Sequence, residues 1–185
     1  MTRTVYYTAT TLDGFVASPE HSLDWLLTRE ADHEADTGYK AFEKRVGALV
    51  MGASTYRWIQ DSGEAWAYDQ PAWVLTHREL TPYEGADVRF AAADTGDELR
   101  ALHAELVAAA GDRDVWVVGG GPVAAQFARA GLLDEMEVSI APVTLGAGMP
   151  LLPAHVELVT REVSQNGEFA VVRYDVVRPG RGIPR

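Results

Sequence analysis

Apolar positions along this chain alternate between short continuous runs and helical spacing. Thr4 to Thr10 (TVYYTAT) is β-branched and aromatic, which suits a buried strand, and Asp13-Gly14 supplies the turn that ends it. Ser22 is placed to cap a short helix carrying Leu23, Trp25, Leu26 and Leu27. Tyr39, Phe42 and Val46 recur at helical spacing and predict a second helix from about Asp36 to Arg45. The apolar run Ala48 to Met51 reads as a strand that enters Gly52-Ala53-Ser54-Thr55 and a helix through Tyr56 and Ile59.

Two more strands are expected at Ala72 to Thr76 and Asp87 to Ala91, on either side of a loop containing Pro82. Thr95 and Glu98 have capping-box spacing before a helix whose Leu99, Leu102, Leu106 and Val107 share one face, and Gly111 ends it. Val115 to Val118 is a buried strand, Gly119-Gly120-Gly121 the turn after it, and Pro122 stands at the first helical position. Gly131 stops that helix. Glu135 to Val143, Val156 to Gln165 and Phe169 to Val177 complete the chain as strands, the last two joined at Asn166-Gly167. About eight strands and four helices in this order give an α/β sheet, mostly parallel with an antiparallel end. A single domain over residues 1–178 is expected, with 179–185 as a tail rich in Gly, Pro and Arg.

Composition narrows the chemistry. Among 185 residues, 16 Lys plus Arg stand against 27 Asp plus Glu, a net charge of -11 that argues against a nucleic-acid or anionic-membrane binder. The absence of cysteine removes disulfides, thiolate nucleophiles and thiolate metal sites. Lys40 and Lys44, one helical turn apart beside Glu43, read as a solvated face rather than a Schiff-base site. His33-Glu34 does not extend into a zinc-protease motif, and no metal site is expected. No apolar run reaches the roughly 18 residues that span a bilayer, and Met1 to Thr11 has no signal-peptide core, so a cytoplasmic location is expected.

Three strand ends carry groups that can hold an anion. Gly119 to Gly121 expose backbone N–H groups at the positive end of a helix, although a tight strand-to-helix turn would need the same glycines. Gly52, Ser54 and Thr55 offer N–H and O–H donors at a second helix start, where helix capping is the other reading. Thr76, His77 and Arg78 end a third strand with a hydroxyl, a titratable ring and a fixed cation, and Arg78 also suits a plain surface charge. All three lie at carboxyl ends of strands, where open α/β sheets bind ligands. Together they suggest a nucleotide containing a pyrophosphate.

Thr11 to Gly14 (TLDG), Leu49 to Tyr56 (LVMGASTY), Val74 to Arg78 (VLTHR), Val117 to Phe127 (VVGGGPVAAQF) and Ala141 to Pro153 (APVTLGAGMPLLP) together resemble the dihydrofolate-reductase-like superfamily. The likeness is closer to the reductase domain of bacterial riboflavin biosynthesis and its stand-alone relatives. The resemblance implies a three-layer α/β/α fold and NADPH bound in an extended form, with NADH as the alternative. It implies that Val118, Gly119, Gly120, Gly121, Pro122 and Val123 meet the pyrophosphate and nicotinamide side, that Gly52, Ser54 and Thr55 hold phosphate, and that Thr76, His77 and Arg78 sit by the adenosine 2′-phosphate. Ala53 stands where the family commonly has a basic residue, and Arg78 or Arg57 could supply that charge.

On the substrate side the resemblance implies Asp13, Gly14, Ser22 and Trp25, for which turn chemistry and a core aromatic are the competing readings. Counting back from the Gly52-type glycine places the dihydrofolate-reductase acid at Asp36, within the acidic run Glu30, Asp32, Glu34 and Asp36. The acidic pair followed by proline that riboflavin-type reductases carry after the Thr55 position is missing, and only Asp61 lies near it. The expected activity is reduction of a C=N or C=O in a small heterocyclic or aminosugar-like substrate, most concretely the phosphorylated ribosylaminouracil of riboflavin biosynthesis. Alternatives are dihydrofolate reduction and a ligand sensor that kept the fold without catalysis. A homodimer is expected, with the final meander as its interface.

Overall fold

Val5 and Tyr6 are neighbours in β1 (Thr4–Thr11), and both are fully buried although their side chains leave opposite faces of the strand. That is possible only in a sheet covered on both sides. The computed structural model describes residues 2–178, and the 179–185 tail expected from sequence lies outside the described residues.

After β1 come β2 (Phe15–Ala17), the single helical turns α1 (Asp24–Leu27) and α2 (Tyr39–Glu43), and β3 (Val46–Gly52), which runs directly into α3 (Ala53–Asp61). β4 (Ala72–Leu75) and β5 (Val88–Ala91) precede α4 (Gly96–Ala110). Next are β6 (Asp114–Gly119), α5 (Gly121–Arg129) and β7 (Glu135–Ala141). The chain closes with β8 (Met149–Pro150), β9 (Leu158–Asn166) and β10 (Phe169–Val176). The main sheet has eight strands in the order β5-β4-β3-β6-β1-β7-β10-β9, and β2 and β8 form a separate small pair. Only β10 runs against the others, pairing antiparallel with β7 and β9. The expected mixed, mostly parallel sheet is therefore present, with five helices rather than four among the described residues and with a small second sheet not foreseen.

Register explains the two-sided core. Val5, Trp116, Leu49 and Ala72 are successive Cα partners across β1, β6, β3 and β4, and this row packs with Phe42 of α2 on one face. Shifted by one residue, Tyr6, Val117, Val50 and Trp73 form the next row, packed on the other face against Leu102 and Leu106 of α4 and Phe127 of α5. Residues one apart thus face different helices, and the continuous apolar runs in the sequence follow from it.

The α4 N-terminus is closed by its own side chains. Thr95 Oγ1 accepts from the Glu98 N–H, and Glu98 Oε2 accepts from the Thr95 N–H. Toward the antiparallel end the sheet also buries charge among its apolar side chains. Glu137 is 1% exposed and accepts from Arg45 at 2.8 Å and Arg173 at 3.0 Å. Burial raises its carboxyl above the usual range, against the pull of the two guanidiniums. Among the described residues, no helix is long and apolar enough to cross a membrane.

Candidate functional site

Because β4, β3, β6, β1 and β7 run in parallel, their carboxyl ends line one edge of the sheet. A cleft of about 620 Å³ opens there. Val118 to Val123 form its wall from β6 and α5, and Gly52 to Thr55 with Arg57, Trp58 and Asp61 form the wall from β3 and α3. The lining is completed by Thr8 and Ala9 of β1, Val16 and Ala17 of β2, the segment carrying Glu20, His21, Leu23 and Leu26, and Met149 of β8.

Two helices begin in this cleft without side-chain caps. Gly120 is the N-cap of α5 and Gly52 the N-cap of α3, both in extended conformation, and neither helix start has a capping side chain. The first N–H groups of a helix have no partner within it, and they carry the positive end of the dipole. The single turns α1 and α2 also lack a capping side chain and α4 is closed by its own residues; what sets α3 and α5 apart is that their open ends sit side by side, on adjacent strands, and face the same cavity.

Each glycine of the turn has a separate steric reason. Gly119 has φ +148, a conformation L side chains rarely adopt. A Cβ on Gly121 would stand 2.2 Å from the Pro150 carbonyl oxygen, so absence of a side chain lets α5 start against β8. At Gly120 the nearest atom to such a Cβ is Pro122 Cδ at 3.7 Å, which leaves its outer side free for a ligand. The Gly119–Gly120 peptide is cis.

Nine of the residues singled out from sequence come together here: Gly52, Ser54, Thr55, Val118, Gly119, Gly120, Gly121, Pro122 and Val123. Thr76, His77 and Arg78 follow β4, the next strand outward, and do not line the cleft. Thr76 Oγ1 accepts from the Arg78 N–H at 2.9 Å, and His77 Nε2 lies 2.8 Å from Asp94 Oδ1. Asp94 in turn lines a separate depression of about 290 Å³ with Arg100, Gln126 and Arg129.

The substrate-side expectations need correction. Asp13 does not line the cleft; its carboxylate accepts from the Thr11 hydroxyl and from the Leu145 and Gly146 N–H groups, which holds its pKa below the usual value. Gly14, with φ +82, completes the same turn. Ser22 Oγ accepts from the Asp24 N–H at the start of α1 and is also absent from the lining. Trp25 is buried with Ala141, Phe169 and Val171, so the core reading holds for it, and Leu23 and Leu26 face the cleft in its place. Asp36, the acid expected as proton donor, is exposed in a turn before α2 and does not line the cleft. Residues 36–38 are not helical because the chain doubles back, and a Cβ on Gly38 would lie 2.5 Å from the Asp32 carbonyl oxygen.

Reasoning from sequence passed over Glu20, His21, Trp58 and Met149. Trp58 was legible in principle: Tyr56 is fully buried, and two residues on along a helix lies roughly the opposite face. His21 has φ +63, the one positive φ outside glycine among the described residues, and residue type gives no sign of it. Its loop is fixed by five bonds centred on Ser18, whose Oγ accepts from the Glu20 and Ser22 N–H groups and donates to Glu20 Oε2. The Ser18 carbonyl accepts from His21 N–H, and its N–H donates to the Ser22 carbonyl.

Residues 59–167 match the RibD C-terminal domain family. The chain is 30% identical over 176 residues to the uncharacterised protein YwjB of Bacillus subtilis, covering 93% of this chain and 97% of that one. A solved structure attributed to riboflavin biosynthesis, from Shewanella sp. PV-4, matches with a TM-score of 0.78 at 26% identity, over 95% of this chain and 99% of the other. Dihydrofolate reductase from Enterococcus faecalis, solved with NADP(H), matches with a TM-score of 0.56 at 16% identity over 94% and 96% of the two chains, a likeness of fold.

Proposed function

The chain belongs to the RibD C-terminal domain family, and we propose that it is an NAD(P)H-dependent reductase acting on a C=N or C=O bond of a small substrate in this cleft. The observation that carries the proposal is the pair of uncapped helix starts, α3 and α5, opening side by side into one cavity. A pyrophosphate suits two such ends, because uncharged N–H groups can bind it in a protein of net charge -11. The open side of Gly120 leaves the approach that phosphate oxygens need.

A reduced nicotinamide held there would supply the hydride for the carbon and be oxidised in return, with a proton from the protein or water completing the reduction at nitrogen or oxygen. The chain's own part is to fix the cofactor with the backbone of Gly119 to Val123 and Gly52 to Thr55. Arg78, beyond β3 on the same sheet edge, is the cation we assign to an adenosine 2′-phosphate, which favours NADPH over NADH. We assign proton delivery to His21, whose backbone is held at a strained φ by the Ser18 loop at the cleft rim. Tyr6 also lines the cleft, but burial raises its phenol and its hydroxyl donates to the Leu151 carbonyl.

The family resemblance offers two substrates, the phosphorylated ribosylaminouracil of riboflavin biosynthesis and dihydrofolate. Titration with NADPH and NADH, followed by quenching of tryptophan fluorescence, tests the reading first. Loss of reduced-nicotinamide absorbance with each substrate then tests catalysis. Saturable binding with substrate-dependent oxidation is expected; binding without oxidation would make the protein a sensor, and no binding to either nucleotide would refute the proposal.

A further inference from the structure

Tyr6 lines the cleft, is fully buried, and takes no part in the proton delivery assigned to His21. Burial raises its phenol, so the hydroxyl remains a donor through the neutral range, and it donates to the Leu151 carbonyl at 3.1 Å. The Leu151 N–H donates to the Gly14 carbonyl at 2.9 Å, so this residue is tied on both sides to β1 and the turn that follows it. The carbonyl that Tyr6 holds also abuts the glycine turn: a Cβ on Gly121 would stand 2.6 Å from the Leu151 oxygen. An ideal Cβ lies about 2.5 Å from its own backbone nitrogen, so that oxygen is within about 5 Å of the Gly121 nitrogen.

Few amides are open at the start of α5. Pro122 has no N–H, and the N–H groups of Val123 and Ala124 both donate to the Gly120 carbonyl, at 3.0 and 3.3 Å. Gly120 and Gly121 are therefore the two residues of this helix start whose N–H groups have no protein acceptor among the described residues. A part-buried carbonyl deprived of its donor takes the nearest one within reach. Without the Tyr6 hydroxyl, the Leu151 oxygen needs a shift of at most about 2 Å to accept from Gly121. That bond would close one of the two amides left open to a ligand.

Resting on the cofactor reading of the same cleft, we propose that Tyr6 is a positioning residue: its hydroxyl occupies the Leu151 carbonyl and so keeps the Gly121 N–H free for a phosphate oxygen of the dinucleotide. It acts through Leu151 and Gly121, not by a contact of its own with a ligand. The backbone-on-backbone seat of Gly121 against Pro150 and Leu151 is what brings a competing acceptor to the helix start, and the phenol is what withdraws it.

The test uses Tyr6→Phe, which deletes one oxygen and keeps the ring. In proton–nitrogen correlation spectra of the protein without nucleotide, the Gly121 amide should exchange freely with water in the wild type. In the variant, where Leu151 accepts from it, exchange should be slower by about tenfold or more. Inorganic pyrophosphate and NADPH should each bind about three- to tenfold more weakly to the variant, as expected for one backbone hydrogen bond, while adenosine 2′-monophosphate, which has no pyrophosphate, stays within about twofold. A Gly121 amide already protected in the free wild type would overturn the inference, and this arm needs no variant, so it decides the matter even where Tyr6→Phe unfolds. Unchanged pyrophosphate and NADPH affinities in a folded Tyr6→Phe protein would overturn it as well, and equal weakening of all three ligands would assign Tyr6 to the fold at large. A wild type that binds neither pyrophosphate nor NADPH would instead remove the cofactor reading, while the spectra of the free protein still judge the hold of Tyr6 on Gly121.

Discussion

Gly121 at the start of α5 packs so closely on Pro150 of β8 that a Cβ would stand 2.2 Å from the Pro150 carbonyl oxygen. Backbone meets backbone there, so a rotamer change cannot relieve the contact. Gly121→Ala should therefore destabilise the fold by about 1–3 kcal/mol, measured by denaturant unfolding. At Gly120, with φ -83, an added methyl meets only Pro122 Cδ at 3.7 Å. Gly120→Val should keep the far-UV circular dichroism of the wild type yet lower NADPH affinity at least about tenfold. Wild-type affinity in that variant would remove the turn from the cofactor site.

Asp13 joins two segments more than 100 residues apart, accepting from Thr11 Oγ1 at 2.6 Å and from the Gly146 N–H at 2.7 Å. The segment it holds leads into Met149 of the cleft, so Asp13 acts on the site through the position of that strand. Its folded pKa is depressed, first by Thr11 and then by the backbone N–H groups. The stabilisation is thus present above the unfolded carboxyl pKa of about 3.9 and is lost as pH falls through the folded value. Asp13→Asn should melt below wild type at neutral pH, with the gap closing under acid. A gap that is constant with pH would show that the charge is not what holds the turn.

What the sequence revealed follows the physics of each element. The rows Val5-Trp116-Leu49-Ala72 and Tyr6-Val117-Val50-Trp73 are buried on both faces, so each strand reads as an unbroken apolar run. Helix starts at Gly52 and Gly120 announce themselves by glycine after such a run. By contrast β2 and β8 have three and two residues, too short for any period, and pair only because the chain returns to them late. In α1, a single turn, spacing alone leaves open which side faces the core; the structure turns Trp25 inward and Leu23 and Leu26 to the cleft. Glu137 is held by Arg45 and Arg173, a pairing between distant segments that no local pattern contains.

Arg78 is exposed, and its backbone N–H is fixed by Thr76 Oγ1 at 2.9 Å, with no ion pair for its guanidinium among the described residues. A 2′-phosphate would give that charge a partner, whereas NADH has none to offer. Arg78→Ala should weaken NADPH binding about three- to tenfold and NADH binding by less than about twofold. Equal losses for the two nucleotides would take Arg78 out of 2′-phosphate recognition.

Asp36 and His21 make opposite demands on the same assay. Asp36 stands in an exposed turn outside the cleft, so Asp36→Asn should leave kcat, KM and the pH profile as in the wild type. His21 lines the cleft, where Glu20, Arg57 and Asp61 are the other charged groups, and the Ser18 loop holds it at φ +63. As the proton donor, His21 predicts that His21→Gln lowers kcat on the order of a hundredfold and holds KM within about twofold. A variant that changes KM alone would assign His21 to substrate binding. His21→Gly gives the control, since glycine accepts the positive φ: its thermal stability should match or exceed the wild type while its kcat falls with that of His21→Gln, separating the imidazole's chemistry from the loop's shape.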